Sequence, residues 1–381
     1  MLINLWYVVE WADKVTTSPV KSRVLGQNIV LFRDQSGQVH CLHDVCIHRG
    51  GSLGGGKCNN GNVACPYHGW EFDGTGQCVK IPSEGDDFKI SNRFQVDSYP
   101  TEERYGMIWA FMGDLPEEER PPIPAFPEYD DPNLRKLRTE TTWQTEAARV
   151  VENGIDLAHA SFVHPTFGSP DTAADNTLLE IETDDWTGWS RNVQFPPKTT
   201  GVQSAGRKKD KQPTFTEPRW ALNGMVVHIT INVTENWTVS MFDANTPVDE
   251  GVTRTFAWQA RNFLKSWIFD SNSKKRLERI FEQDRVIIEA ASPHFLPEKT
   301  LNEASVGDDK FMATFRNARR RYIAKGNQID SYEVAKSMGR TVFAIPSPNR
   351  RAAEEKNQRW IFEKMPLVPA RNKPKAVEEA A

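Results

Sequence analysis

The chain has 381 residues, of which 38% are hydrophobic and 26% charged, with a formal net charge of −4. That length accommodates two domains, the slight acidity speaks against nucleic acid as a principal partner, and no apolar run reaches the roughly 18 residues of a membrane span. Five cysteines, at 41, 46, 58, 65 and 78, crowd the first fifth of the chain; their odd number favours metal ligation over a disulfide framework and a reducing, cytoplasmic compartment.

The opening stretch MLINLWYVVEWADKV carries no basic leader or small-residue cleavage site and reads as a strand. The next hundred residues hold short β-prone runs (NIVLFRD, QVHCLHD, NVACPYH, GWEFDG, MIWAFMG) punctuated by Gly, Asn and Asp, which predicts a small antiparallel domain over 1–115. Within it lies CIHRGGSLGGGKCNNGNVACPYHGW, residues 46–70. Cys46 and His48 form one pair, Cys65 and His68 another, and the intervening glycines let two loops approach without Cβ clashes. Thiolate and imidazole suit zinc or iron–sulfur chemistry. A closed zinc tetrahedron would use Cys₂His₂, but finger modules usually pair Cys with Cys and His with His. One of each per loop suits a two-iron cluster with two Cys on one iron and two His on the other.

Residues 116–134 contain six prolines in 115–133 together with many carboxylates and read as a linker or surface strap. EAARVVENGIDLAHASFVH then shows helical spacing, with Asn153, Asp156 and His159 at steps of three on one stripe. His164 precedes Pro165, a position pushed out of the α region, so the helix should end there and free His164 to turn toward His159. Strand runs return between about 177 and 260 (TLLEIET, GMVVHITINVT, WTVSMFD, RTFAWQA), and helices are expected near 263–291 and 309–325. Strands followed by helices predict an α+β domain over 135–365, with helices on one side of a curved sheet. The basic, Pro/Gly-marked segment 195–219 reads as a mobile loop, and 366–381 as a frayed tail.

In KKRLERIFEQDRVIIEAASPHF, Leu277, Ile280, Phe281, Asp284, Ile287 and Ile288 share a helical face. A carboxylate in the middle of an apolar stripe is costly unless a cation compensates it. Asp284 therefore joins His159 and His164 as a candidate metal ligand, giving two imidazoles and one carboxylate, the facial triad of non-haem iron(II) sites. Glu282 and Glu289 read as solvated charges, and Arg319-Arg320-Arg321 as the wet face of a helix whose Phe311, Phe315 and Tyr322 point inward.

The two ligand loops, continued by Phe72-Asp73-Gly74 and Gly76-Gln77-Cys78, resemble those of the Rieske non-haem iron oxygenases, and D-x-x-H-x-x-x-x-H from Asp156 to His164 is similar to that family's mononuclear site. The resemblance is strongest over 40–82, 146–168 and 278–290. It implies a Rieske [2Fe–2S] domain followed by a helix-grip-like catalytic domain, and a homotrimer. It implies Asp156 as a bridge between His159 and a cluster-ligating imidazole, His68, of a neighbouring subunit, with Asn153 close to the iron. The layout is most similar to the phthalate, vanillate and dicamba-type monooxygenase and demethylase branch. The expected function is that of a terminal oxygenase. It would take electrons from a ferredoxin or a flavin/iron–sulfur reductase, and O₂ as co-substrate, to hydroxylate or demethylate a small organic ring compound. The rival reading is a Rieske electron carrier whose C-terminal domain binds a ligand and holds no mononuclear iron.

Overall fold

A computed structural model describes residues 1–165, 170–195, 214–297 and 303–371. The N-terminal third supplies β1 (Leu5–Trp11), β2 (Val20–Val24), β3 (Gln27–Arg33), β4 (Val39–His43), β5 (Lys57–Asn59), β6 (Asn62–Ala64), β7 (Glu71–Phe72), β8 (Cys78–Lys80), β9 (Ser98–Tyr99), β10 (Thr101–Arg104) and β11 (Met107–Met112). They build three small sheets, ordered β2-β3-β4-β9, β5-β6-β7-β8 and β1-β11-β10. The first two enclose a core of Val30, Phe32, Leu42, Leu53, Val63, Phe72 and Val96, into which Cys46, Cys65 and Cys78 also project.

The third sheet packs elsewhere. Trp6, Val8, Trp11, Trp109 and Phe111 meet Ala221, Val226, Phe242, Ala244 and Phe256 of the C-terminal sheet. The proline-rich strap threads the same layer and buries Ile123 and Phe126.

The C-terminal sheet has seven antiparallel strands: β12 (Arg135–Trp143), β13 (Thr177–Thr183), β14 (Thr187–Gln194), β15 (Thr214–Ala221), β16 (Val226–Asn232), β17 (Thr238–Asp249) and β18 (Val252–Arg261), ordered β12-β18-β17-β16-β15-β14-β13. Alternation decides what each face meets. On β17, Phe242 and Ala244 turn to the tryptophan layer, whereas Met241, Asp243 and Asn245 turn the other way. Both faces being covered, β17 is buried for eight consecutive residues. The second face carries α1 (Ala147–Ile155), α2 (Ala160–Val163), α3 (Asp270–Ala290) and α4 (Lys310–Ala324).

Five expectations need correction. The helix of 146–164 is not continuous: Asp156 is extended (φ −78°, ψ 109°) and α2 restarts after His159, so 153, 156 and 159 do not form one helical stripe. Arg319 is buried against Glu146 because α4 packs that turn on α1, so the arginine run is only partly wet. Ile287 is exposed, which narrows the apolar stripe of α3. Of the tail, 366–371 is docked: Val368 N–H donates to the Gln328 carbonyl (2.8 Å) and Arg371 N–H to that of Ala324 (3.0 Å). Of the basic segment, 214–219 is strand β15, and 196–213 lies outside the described residues.

The C-terminal helices α5 (Ser331–Lys336) and α6 (Pro348–Glu355) follow, and α6 returns to the N-terminal domain. There Arg350 and Asp97, 1% and 0% exposed, form a bidentate pair at 2.9 and 2.7 Å. Ser347 and Trp360 also donate to Asp97. Among the described residues no helix is long and apolar enough to cross a membrane.

Candidate metal centres

The two N-terminal ligand loops are near copies of one another. In each, the cysteine carbonyl accepts from the glycine N–H four residues on: Gly50 to Cys46 at 2.9 Å, Gly69 to Cys65 at 3.0 Å. In each, the cysteine N–H donates to the carbonyl five residues on, Gly51 and Trp70, both at 2.8 Å. Gly50 and Gly69 both sit at φ +72°, a conformation that favours glycine. The sequence thus closes each loop by its own backbone and leaves one sulfur and one imidazole pointing out of each turn.

The loops face each other. The His48 and His68 rings lie 4.5 Å apart, and His48 stacks on Trp70 at 4.6 Å with an interplanar angle of 8°. Cys46 and Cys65 are buried free thiols. Burial, followed by the nearness of Cys65 and Cys78, pushes the Cys46 thiol up to about 12. Two sulfurs held so close in a dry site are poor thiolates without a cation, and a metal reverses that balance. His48 Nδ1 is buried with no hydrogen-bond partner, and a Cβ on Gly51 would come 2.8 Å from Cys65 Sγ. An orphaned ring nitrogen and a space that only glycine leaves open fit a Cys₂His₂ diiron cluster.

The second centre lies on the wall of a cavity of about 400 Å³ between the sheet and α1, α2 and α3. His159 stands at the junction where α1 has ended, and His164 at the end of α2 with ψ 87°. Asp284 reaches in from α3, 120 residues downstream of His164, and is 7% exposed. His159 Nε2 and His164 Nε2 are 3.3 Å apart, and they lie 3.3 and 3.0 Å from Asp284 Oδ1. Donors on one face of an octahedron with metal bonds of about 2.1 Å are separated by about 3.0 Å, so the set fits a single ion.

The charges agree with this. Burial would raise the Asp284 carboxyl, but His159 and His164 hold it below its ordinary value. Burial would lower His159, yet the nearby Asp156 and Asp284 carboxylates carry it up to about 9. Behind the ligands, His164 Nδ1 faces Gln283 Oε1 at 3.1 Å, a contact that fixes which nitrogen turns to the centre. Asp156 Oδ2 lies 3.8 Å from His159 Nδ1, while its Oδ1 accepts the Ala158 N–H at 2.8 Å. Asn153 lines the same cavity.

Residues 5–100 match the Rieske [2Fe-2S] domain and residues 143–325 the vanillate O-demethylase oxygenase C-terminal domain. The chain belongs to the Rieske oxygenases, whose members combine a [2Fe–2S] cluster with mononuclear iron and O₂. Chlorophyllide a oxygenase of Chlamydomonas reinhardtii is 38% identical over 165 residues, 43% of this chain and 24% of that protein. The iron–sulfur subunit of the toluene-4-sulfonate monooxygenase system of Comamonas testosteroni is 28% identical, covering 75% of this chain and 87% of that one. The chain therefore spans a quarter of the length of the first relative and most of the second. Dicamba monooxygenase bound to 3,6-dichlorosalicylic acid superposes with a TM-score of 0.70 at 24% identity, over 84% of this chain and 97% of that one, which shows the shared fold.

Sequence reasoning missed Gln283, although it adjoins Asp284. It also missed Asp243 and Gln259 on the cavity wall. The alternation of MFDAN in β17 was the available signal, since it sets Asp243 and Asn245 opposite to Phe242 and Ala244.

Proposed function

We propose that the chain is the terminal oxygenase of a multicomponent system. It takes electrons from a ferredoxin or a flavin/iron–sulfur reductase and uses O₂ to monohydroxylate, or oxidatively demethylate, a small ring-containing organic molecule. The observation that carries this reading is the convergence of His159, His164 and Asp284 on the wall of a largely apolar cavity. Dicamba and toluene-4-sulfonate, named for two relatives, are ring compounds of the size such a cavity takes.

Cys46, His48, Cys65 and His68 would hold the [2Fe–2S] cluster, and His159, His164 and Asp284 the iron(II). When bound, that iron supplies O₂ activation, with two electrons and two protons sending one oxygen atom to substrate and the other to water. The protein's own residues do the rest. Val227, Ile229 and Met241 exclude water from the wall, Gln283 holds the His164 ring, and Asp156 orients His159 through Nδ1. His68 is exposed, beside Tyr67 at 65% exposure, and so is placed to meet another molecule. In a homotrimer, Asp156 would join His159 to His68 of a neighbouring subunit and so link the two centres. A reducing, cytoplasmic location suits a chain whose five cysteines form no disulfide.

Iron analysis tests the assignment. The loaded protein should hold about three iron atoms per chain, two of them in the cluster. His159→Ala should lower the count to about two while the cluster's visible absorbance persists. Loss of that absorbance, or two irons in the wild type, would instead favour an electron carrier with a ligand-binding domain.

A further inference from the structure

The wall of the cavity opposite the helices is built from alternate residues of β16, β17 and β18. Val227 and Ile229 come from β16, Met241 and Asp243 from β17, and Gln259 from β18. In register, Asp243 faces Ala257 and Met241 faces Gln259, so Asp243 and Gln259 are diagonal neighbours on one face. The rest of that patch is apolar.

Most polar groups around the cavity are already engaged. Asn245 donates to the carbonyls of Met225 and Asp243 and accepts from Thr255. Thr216 donates to Gln194. Arg261, 2% exposed, lies four residues along β18 from the position facing Asp243 and is held by Asp270 at 2.9 Å and by the Leu264 carbonyl, although its Nη1 has no partner. Asp243 differs: it is 8% exposed, lines the cavity, and its Oδ1 is buried without a hydrogen-bond partner. The half-buried Gln259 amide makes no hydrogen bond with any described residue. Buried polar groups left unpaired by the protein are ordinarily paired by something else.

We propose that Asp243 and Gln259 together form the specificity-determining contact of the cavity, offering a donor and an acceptor to an uncharged hydroxyl or carboxamide on the substrate. The pair sits on the wall while the reacting carbon lies toward His159, His164 and Asp284, so the polar group marks one end of the substrate and the oxidised carbon another. Burial, with the Asp284 carboxylate as the lesser cause, pushes the Asp243 acid up to about 8, so at neutral pH it keeps its proton and can donate. Iron bound at Asp284 would weaken the lesser cause and leave the larger one in place. This inference rests on the oxygenase reading for its substrate, but its evidence is the unpaired wall.

The test is ligand-observed NMR or calorimetry on the iron-loaded holoenzyme without O₂ or reductant, using phenol and toluene as probes. Wild type should bind phenol about tenfold or more tightly than toluene, since a site built around a hydrogen bond rejects an analogue that lacks the hydroxyl. Asp243→Asn, which keeps size and hydrogen bonding, should hold most of that affinity. Asp243→Leu should lose about tenfold, and Gln259→Leu, on a less buried position, should weaken phenol in the same direction. Unchanged cluster absorbance and iron content show that the variants fold. Toluene binding as tight as phenol's, no phenol binding, or an unchanged phenol affinity in both leucine variants would overturn the proposal. Because no turnover is read, failure of oxygenation with this preference intact would count against the oxygenase reading alone.

Discussion

Gly50 and Gly51 are adjacent, yet alanine should act differently at each. A Cβ at Gly51 would stand 2.8 Å from Cys65 Sγ and 3.3 Å from Tyr67 Cβ. Nonbonded atoms of this kind relax at about 3.5–4.0 Å, so the sulfur would have to retreat by about 1 Å. Metal–ligand distances tolerate about 0.2 Å, so the required displacement is about five times what the bond can absorb. As overpacking alone, Gly51→Ala should cost about 1–3 kcal/mol. Gly50 meets nothing within 4 Å but sits at φ +72°. There alanine pays only backbone strain, about 1–2 kcal/mol, and leaves both sulfurs in place. The two variants should therefore be destabilised to a similar degree while differing in cluster content. Iron and acid-labile sulfide per chain, visible absorbance and thermal unfolding should be measured side by side. Gly51→Ala should empty the cluster and Gly50→Ala should keep it. A full cluster in Gly51→Ala, or equal loss in both, would refute the reasoning that Cys65 needs the space beside Gly51.

The Arg350–Asp97 pair ties the C-terminal segment to the cluster domain. Arg350→Met would leave Asp97 buried with only neutral donors, which should cost about 3–5 kcal/mol in denaturant unfolding; a loss under about 1 kcal/mol would show that the pair is not an anchor. Asp156→Asn should leave both metal contents unchanged and slow reoxidation of the reduced cluster by O₂ in stopped-flow absorbance, by about 10–100-fold. Near-wild-type rates would remove Asp156 from the link between the centres.

Much of the site could be read from the sequence because its ligand pairs are local. Cys46 with His48, and Cys65 with His68, each lie within a single turn closed by its own backbone, so spacing alone puts sulfur and imidazole together. The period-two runs that became β13, β16, β17 and β18 were visible for the same reason: alternation is a property of one strand. Asp284 was singled out because a carboxylate in an apolar stripe needs compensation, although its meeting with His159 and His164 depends on how α3 lies across the sheet. Other features belong to the tertiary structure alone. The break at Asp156, the burial of Arg319 on α1, the Arg350–Asp97 anchor and the diagonal of Asp243 and Gln259 each join groups whose partners are set by packing or strand register. Local spacing fixes what lies within a turn or along a strand, but which distant side chains share a space is decided only when the sheet has chosen its register and the helices have closed over it.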